Sequence, residues 1–201
     1  MSDIYKTITE KTEGIYKEKG SKFLSFAIPV TSADEVKEII ANYKKNFYDA
    51  RHVCYAYMLG SDRNNFRAND DGEPSGTAGR PILGQINSME LTNVLVVVIR
   101  YFGGILLGTG GLISAYKEAT LDALNKALVI EKTVDVTVNI SFDYIQLNDV
   151  MLVIKNLNPH IIKQDFDSEC KMRLSKRMQD ATLLISKLNK IVGLKLEEID
   201  I

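Results

Sequence analysis

Residues 94 to 101 read VLVVVIRY, and this run limits what the chain can fold into more than any other. Its apolar residues do not alternate with polar ones, so it reads as a strand buried on both faces. Two turn-rich loops flank it, DDGEPSGTAGRP over residues 70 to 81 and FGGILLGTGG over residues 102 to 111. Loops carry function more often than the elements they join, so a site is expected in this stretch.

At 201 residues the chain has room for one or two domains. Its net charge of -1 excludes a nucleic-acid-binding protein built on overall charge, and leaves open a local basic patch. The longest unbroken apolar run is far shorter than the roughly 20 residues a membrane helix needs, so no membrane partner is expected. The first residues show neither an apolar core nor a cleavage pattern, so no secretory signal is expected. The two cysteines, Cys54 and Cys170, have no metal-site spacing, which fits reduced thiols in a cytoplasmic protein.

The remaining elements follow from periodicity. A strand is expected within residues 15 to 30. Ser32 followed by Glu35 forms a capping-box pattern for a helix over 33 to 45. Alternation predicts a strand over 52 to 59, residues 60 to 80 read as loop, and Pro81 suits the start of a helix over 82 to 89. Glycines 103, 104, 108, 110 and 111 read as a second loop, followed by a helix over 112 to 128. Beyond it come a strand over 134 to 142, a helix over 147 to 157, strands over 161 to 166 and 170 to 174, a helix over 178 to 192 and a strand over 194 to 199. That βαββαβ order is ferredoxin-like. The domain boundary is expected near Glu131-Lys132, giving domains of residues 1 to 131 and 132 to 201, with no internal repeat.

Four groups of residues can carry chemistry. The loop Gly103, Gly104, Gly108, Thr109, Gly110 and Gly111 follows a buried strand and opens a helix, where unpaired N–H groups attract phosphate; the alternative is tight turns and close packing. It matches neither a Walker loop nor the dinucleotide fingerprint, since Ile113 stands where a third glycine belongs. Asp70, Asp71 and Glu73 can hold a hard cation or divide acid and base roles, or simply bond the backbone of a turn. No metal and no cofactor is assigned. His52 and Cys54 point to one face of a strand, as an activated thiolate or as ordinary core; Ser75 and Thr77 lack any nucleophile motif. Arg80, Arg100 and Lys117 sit at or beside the loops. Arg100 ends a very apolar strand, so it must reach solvent, a ligand anion or one of Asp70, Asp71 and Glu73. Lys171, Arg173, Lys176 and Arg177 form a second cationic cluster, a solvated face or a phosphate-contacting one.

Three stretches, RHVC at residues 51 to 54, DDGEPSGTAGRP at 70 to 81 and VVVIRYFGGILLGTGGLISAY at 96 to 116, resemble the IMPACT/YigZ family, and the likeness covers most of residues 15 to 128. Asn69, where relatives often carry Ser, is a small departure. The resemblance implies an α+β first domain with the ribosomal protein S5 domain 2-like fold and a ferredoxin-like second domain, as in bacterial YigZ-type members. A similar pair ends elongation factor G, which suggests RNA or the ribosome as partner. Eukaryotic members regulate translation through a kinase pathway using an extra N-terminal domain, which a chain of this length is not expected to carry. The resemblance transfers no catalytic residues.

The reading is a non-catalytic, translation-associated module that binds RNA or a ribonucleoprotein through Arg80, Arg100, Lys117 and the glycine loop. The alternatives are a hydrolase using His52, Asp70, Asp71 and Glu73, and an adaptor that binds a protein partner.

Overall fold

The computed structural model describes residues 3 to 200, which divide into two compact units. The N-terminal unit holds residues 5 to 132; the C-terminal unit holds residues 133 to 200 together with residues 3 and 4.

In the N-terminal unit the order is β1 (Ile4–Ile8), β2 (Thr12–Glu18), β3 (Ser21–Pro29), α1 (Ala33–Asn46), β4 (His52–Leu59), β5 (Asn65–Asn69), α2 (Gly79–Ser88), β6 (Val94–Tyr101), α3 (Gly108–Asn125) and β7 (Val129–Thr133). Five strands form an antiparallel sheet in the order β2-β3-β6-β4-β5, and β1 pairs with β7. The central place of β6 explains its unbroken apolar run. Val94, Val96 and Val98 pack with Ile82 and Ile86 of α2 and with Leu112, Ala115 and Ala119 of α3. Leu95, Val97 and Ile99 point the other way and pack with Val36 and Ile40 of α1. The expected cap forms: Ser32 Oγ accepts from the Glu35 N–H at 3.2 Å, while the Glu35 carboxylate accepts from the Thr31 N–H at 2.8 Å.

Several expectations need correction. The single strand over 15 to 30 is two strands joined at Lys19-Gly20, whose φ values of 46° and 79° suit the tight turn that matches strand twist. The loop over 60 to 80 contains β5, a short polar edge strand with little apolar signal. Helix α2 begins at Gly79, so Pro81 lies third in a first turn whose N–H groups lack helical partners anyway. Gly108, Thr109, Gly110 and Gly111 are the first residues of α3, not loop, and the helix ends at Asn125 to make room for β7.

The C-terminal unit runs β8 (Asp135–Phe142), a 3₁₀ turn, α4 (Leu147–Leu157), β9 (His160–Phe166), β10 (Cys170–Arg177), α5 (Met178–Leu188) and β11 (Lys195–Asp200). Its antiparallel sheet has the order β11-β8-β10-β9. Val138, Ile140, Met172 and Leu174 pack with Val150 and Ile154 of α4 and with Ala181 and Leu184 of α5. Helix α4 stops at Asn158 in the left-handed region, with φ 47°, and α5 ends four residues before its expected end at 192. The bidentate pair Arg177 and Asp3, at 2.6 and 2.9 Å, ties the first described residues to this unit. Among the described residues no helix is long and apolar enough to cross a membrane.

Candidate functional site

Sheet register builds the centre of the site. Arg100 on β6 lies opposite Phe23 on β3 and opposite His52 on β4, so the three form a row across the sheet, on the face that also carries Cys54 and Val98. A guanidinium 5% exposed needs a compensating charge. Glu73, 8% exposed, supplies it from the β5–α2 loop, with Oε1 2.6 Å from Arg100 Nη1. The guanidinium carbon lies 5.6 Å from the Phe23 ring centre and 5.7 Å from that of Phe102, distances at which cation–π attraction contributes. Arg100 Nε is buried and has no hydrogen-bond partner in the protein.

The network extends downward. Tyr116 of α3 donates its hydroxyl to Glu73 Oε1 at 2.8 Å, and Cys54 Sγ lies 3.0 Å from the Asp70 carbonyl and 3.3 Å from the Tyr116 hydroxyl. Burial pushes both the Cys54 thiol and the Tyr116 hydroxyl up, and neighbouring carboxylates add to the shift. Cys54 therefore stays a protonated core residue rather than a thiolate nucleophile. His52 Nδ1 lies 2.8 Å from the Asp71 carbonyl. A carbonyl only accepts, so Nδ1 carries a proton, and Nε2 lies 3.8 Å from Glu73 Oε1.

The three neighbouring carboxylates have separate tasks. Asp70 accepts N–H bonds from Gly76, Ala78 and Gly79 at 2.8 to 3.0 Å and so shapes the loop into α2. Asp71 accepts from the Val53 N–H and pairs with Lys44. Glu73 alone meets Arg100. Among the described residues no group of three His, Cys, Asp or Glu side chains is placed to hold a metal ion. Burial raises the Asp70 pKa, but the backbone N–H bonds and the nearby Arg80 charge outweigh it and hold the carboxyl below its ordinary value. A depressed folded pKa stabilises the fold above the unfolded value, and that contribution is lost as pH falls through the folded one. Asp70→Asn is therefore expected to melt below the wild type at neutral pH and to converge with it as pH falls below the usual carboxylate range. Thermal scans across that range check it, and a gap independent of pH would remove Asp70 from this role.

Above the network lies a cleft of about 550 Å³. Arg51, His52, Glu73 and Arg100 line it with polar groups, Pro74, Phe102, Leu106, Leu107 and Leu112 with apolar ones, and Gly108 and Thr109 bring in the start of α3. The structure thus brings His52, Glu73, Arg100, Gly108 and Thr109 together. Gly103 and Gly104 lie on the adjoining loop, and Gly110, Gly111 and Lys117 lie on α3 without lining the cleft. Arg80 stands at the start of α2, and Asp70 and Asp71 do not line the cleft either. Of the hydrolase group only His52 and Glu73 reach it. Arg51, Phe102, Leu106 and Tyr116 were not singled out from sequence. The signal for Arg51 was its place beside His52; that for Phe102 and Leu106 was apolar residues in a glycine-bounded loop.

In the second cationic cluster, Lys171 and Arg173 lie opposite Asp165 and Lys163 on the sheet face away from the helices. Lys176 instead donates to the Leu157 carbonyl at the end of α4, and Arg177 holds Asp3. These two are structural.

The chain is thus an α+β protein of two units, with an antiparallel sheet whose central strand ends in a buried ion pair under an open cleft. It belongs to the IMPACT family: the Impact N-terminal domain matches residues 19 to 124. It is 39% identical over 150 residues to IMPACT family member YvyE of Bacillus subtilis, covering 75% of this chain and 69% of that one. It is 32% identical over 159 residues to IMPACT family member YigZ of Escherichia coli, covering 78% of each. A crystal structure described as that of a hypothetical protein matches it with a TM-score of 0.75 at 27% identity, covering 100% of this chain and 99% of the other.

Proposed function

We propose that the protein is a non-catalytic, translation-associated module of the cytoplasm that binds RNA or a ribonucleoprotein through the cleft of its N-terminal unit. Membership of the IMPACT family supports the translational setting. In this reading the N-terminal unit is an S5 domain 2-like domain and the C-terminal unit a ferredoxin-like domain, which the latter's βαββαβ order and β11-β8-β10-β9 sheet support. The observation that carries the binding site is the convergence of Arg51, Arg100 and the first turn of α3 on one cleft. A helix start offers unpaired N–H groups and a partial positive charge to phosphate oxygens. Arg100 is already matched by Glu73, so Arg51 and the helix start provide the net positive field.

Filter binding of the full chain to single-stranded RNA over a salt series tests this. The logarithm of affinity should fall linearly with that of salt, and Arg51→Ala should lower the slope by about 0.7, the loss of one phosphate contact. Binding that ignores salt, or no binding, would overturn the proposal.

A further inference from the structure

We propose that the cleft takes one nucleoside phosphate unit, its base against Phe102 and its phosphate at Arg51 and the first turn of α3. This sharpens the RNA reading and rests on the same cleft. The size fits: about 550 Å³ suits a small ligand rather than a helix or a strand of a partner. The lining mixes charged and apolar groups in the way such a ligand does. Phe102 is 49% exposed and Leu106 83% exposed, yet both line the cleft, and an exposed aromatic face beside apolar side chains is a stacking surface for a base. Arg51 and the start of α3 at Gly108 and Thr109 line the same cleft and supply its phosphate-binding groups.

Two further observations point to a ligand. Arg100 lines the cleft, is 5% exposed and leaves Nε without a partner. Buried polar groups are paired in the great majority of cases, so the orphan marks a wall short of an acceptor. His52 lines the same cleft, and with Nδ1 bonded to the Asp71 carbonyl its Nε2 can meet a ribose hydroxyl or a polar group of the base. At Gly108, where φ is 71°, a Cβ would meet no atom within 4 Å, so the backbone there faces open space. The same chemistry can come from a free mononucleotide or from one nucleotide splayed out of an RNA strand.

Calorimetric titration of the full chain with AMP, UMP, ribose 5-phosphate, inorganic phosphate and a short single-stranded RNA distinguishes these sources. A nucleoside monophosphate should bind about tenfold more tightly than ribose 5-phosphate, the difference being base stacking. Phe102→Ala should remove that difference and leave the affinity for inorganic phosphate unchanged, and Phe102→Trp should restore it. Circular dichroism shows whether the variants fold; if Phe102→Ala does not, Leu106→Ala at the more exposed position carries the same test. Binding of the mononucleotides with no binding of RNA would support this inference and end the RNA reading. Salt-dependent RNA binding that Phe102→Ala leaves unchanged, with no mononucleotide bound, would support the RNA reading and overturn this inference. Equal affinity for ribose 5-phosphate and AMP would also overturn it.

Discussion

Glu73→Gln is expected to destabilise the N-terminal unit by about 3 to 5 kcal/mol, the cost of leaving a buried charge without its partner. The substitution keeps the shape of the side chain and removes only its charge. Arg100 then stays 5% exposed with no carboxylate within reach, and Tyr116 loses the charged acceptor of its hydroxyl. The converse prediction is sharper. Taking both partners away together, as Glu73→Leu with Arg100→Met, should cost less than either single change, because a buried pair is expensive to break and cheap to replace. Hydrogen exchange of β6 amides under mild denaturant reads the stability of this unit alone. A Glu73→Gln protein within about 1 kcal/mol of the wild type, a value typical of exposed pairs, would show that the pair is solvated rather than buried.

Gly103→Ala is expected to cost about 3 kcal/mol or more, at or past the upper end of ordinary overpacking. A Cβ at that position would lie 1.9 Å from the Gly20 carbonyl carbon and 2.1 Å from the Ser21 nitrogen. Both are backbone atoms, in a hairpin turn that sheet pairing holds on each side, so neither can swing away as a side-chain tip can. The neighbouring Gly104→Ala provides the contrast. Its φ is 87°, but nothing lies within 4 Å of the added carbon. It should therefore cost only the left-handed backbone penalty of about 1 to 2 kcal/mol. Thermal melts of the two variants side by side check this. Equal losses would mean that strain, not the approach of two chain segments, explains both glycines.

How much of this was legible beforehand depends on distance along the chain. The run over β6, the cap at Ser32 and the alternation over β4 are local patterns, and the structure has the elements they predict. The hairpin at Lys19-Gly20 was missed because one glycine in a polar stretch looks like many surface positions. The short edge strands β1, β5 and β7 were missed because they bury too little to write an apolar period. In the site, the flanking loops pointed to the right neighbourhood, and three carboxylates stood beside solvent and a ligand anion as alternatives for Arg100. Which one serves depends on the register that sets Phe23, Arg100 and His52 in one row, and register between distant strands leaves no local mark. The same limit placed Arg80 and Lys117 among the candidate cations, although both stand outside the cleft.

The pairing of Asp3 with Arg177 changes how the molecule is to be cut. Residues 3 and 4 belong to one unit, residues 5 to 132 to the other, and residues 133 to 200 to the first again. Its genetic halves are therefore not its physical halves. A fragment begun at residue 132 would lack the carboxylate that Arg177 grips, while a fragment ended at 131 would carry that carboxylate away unused. Expressing the second body alone calls for grafting the first few residues onto it through a short linker. The first body can be lifted out between residues 5 and 132, where β1 and β7 already hold its two ends side by side.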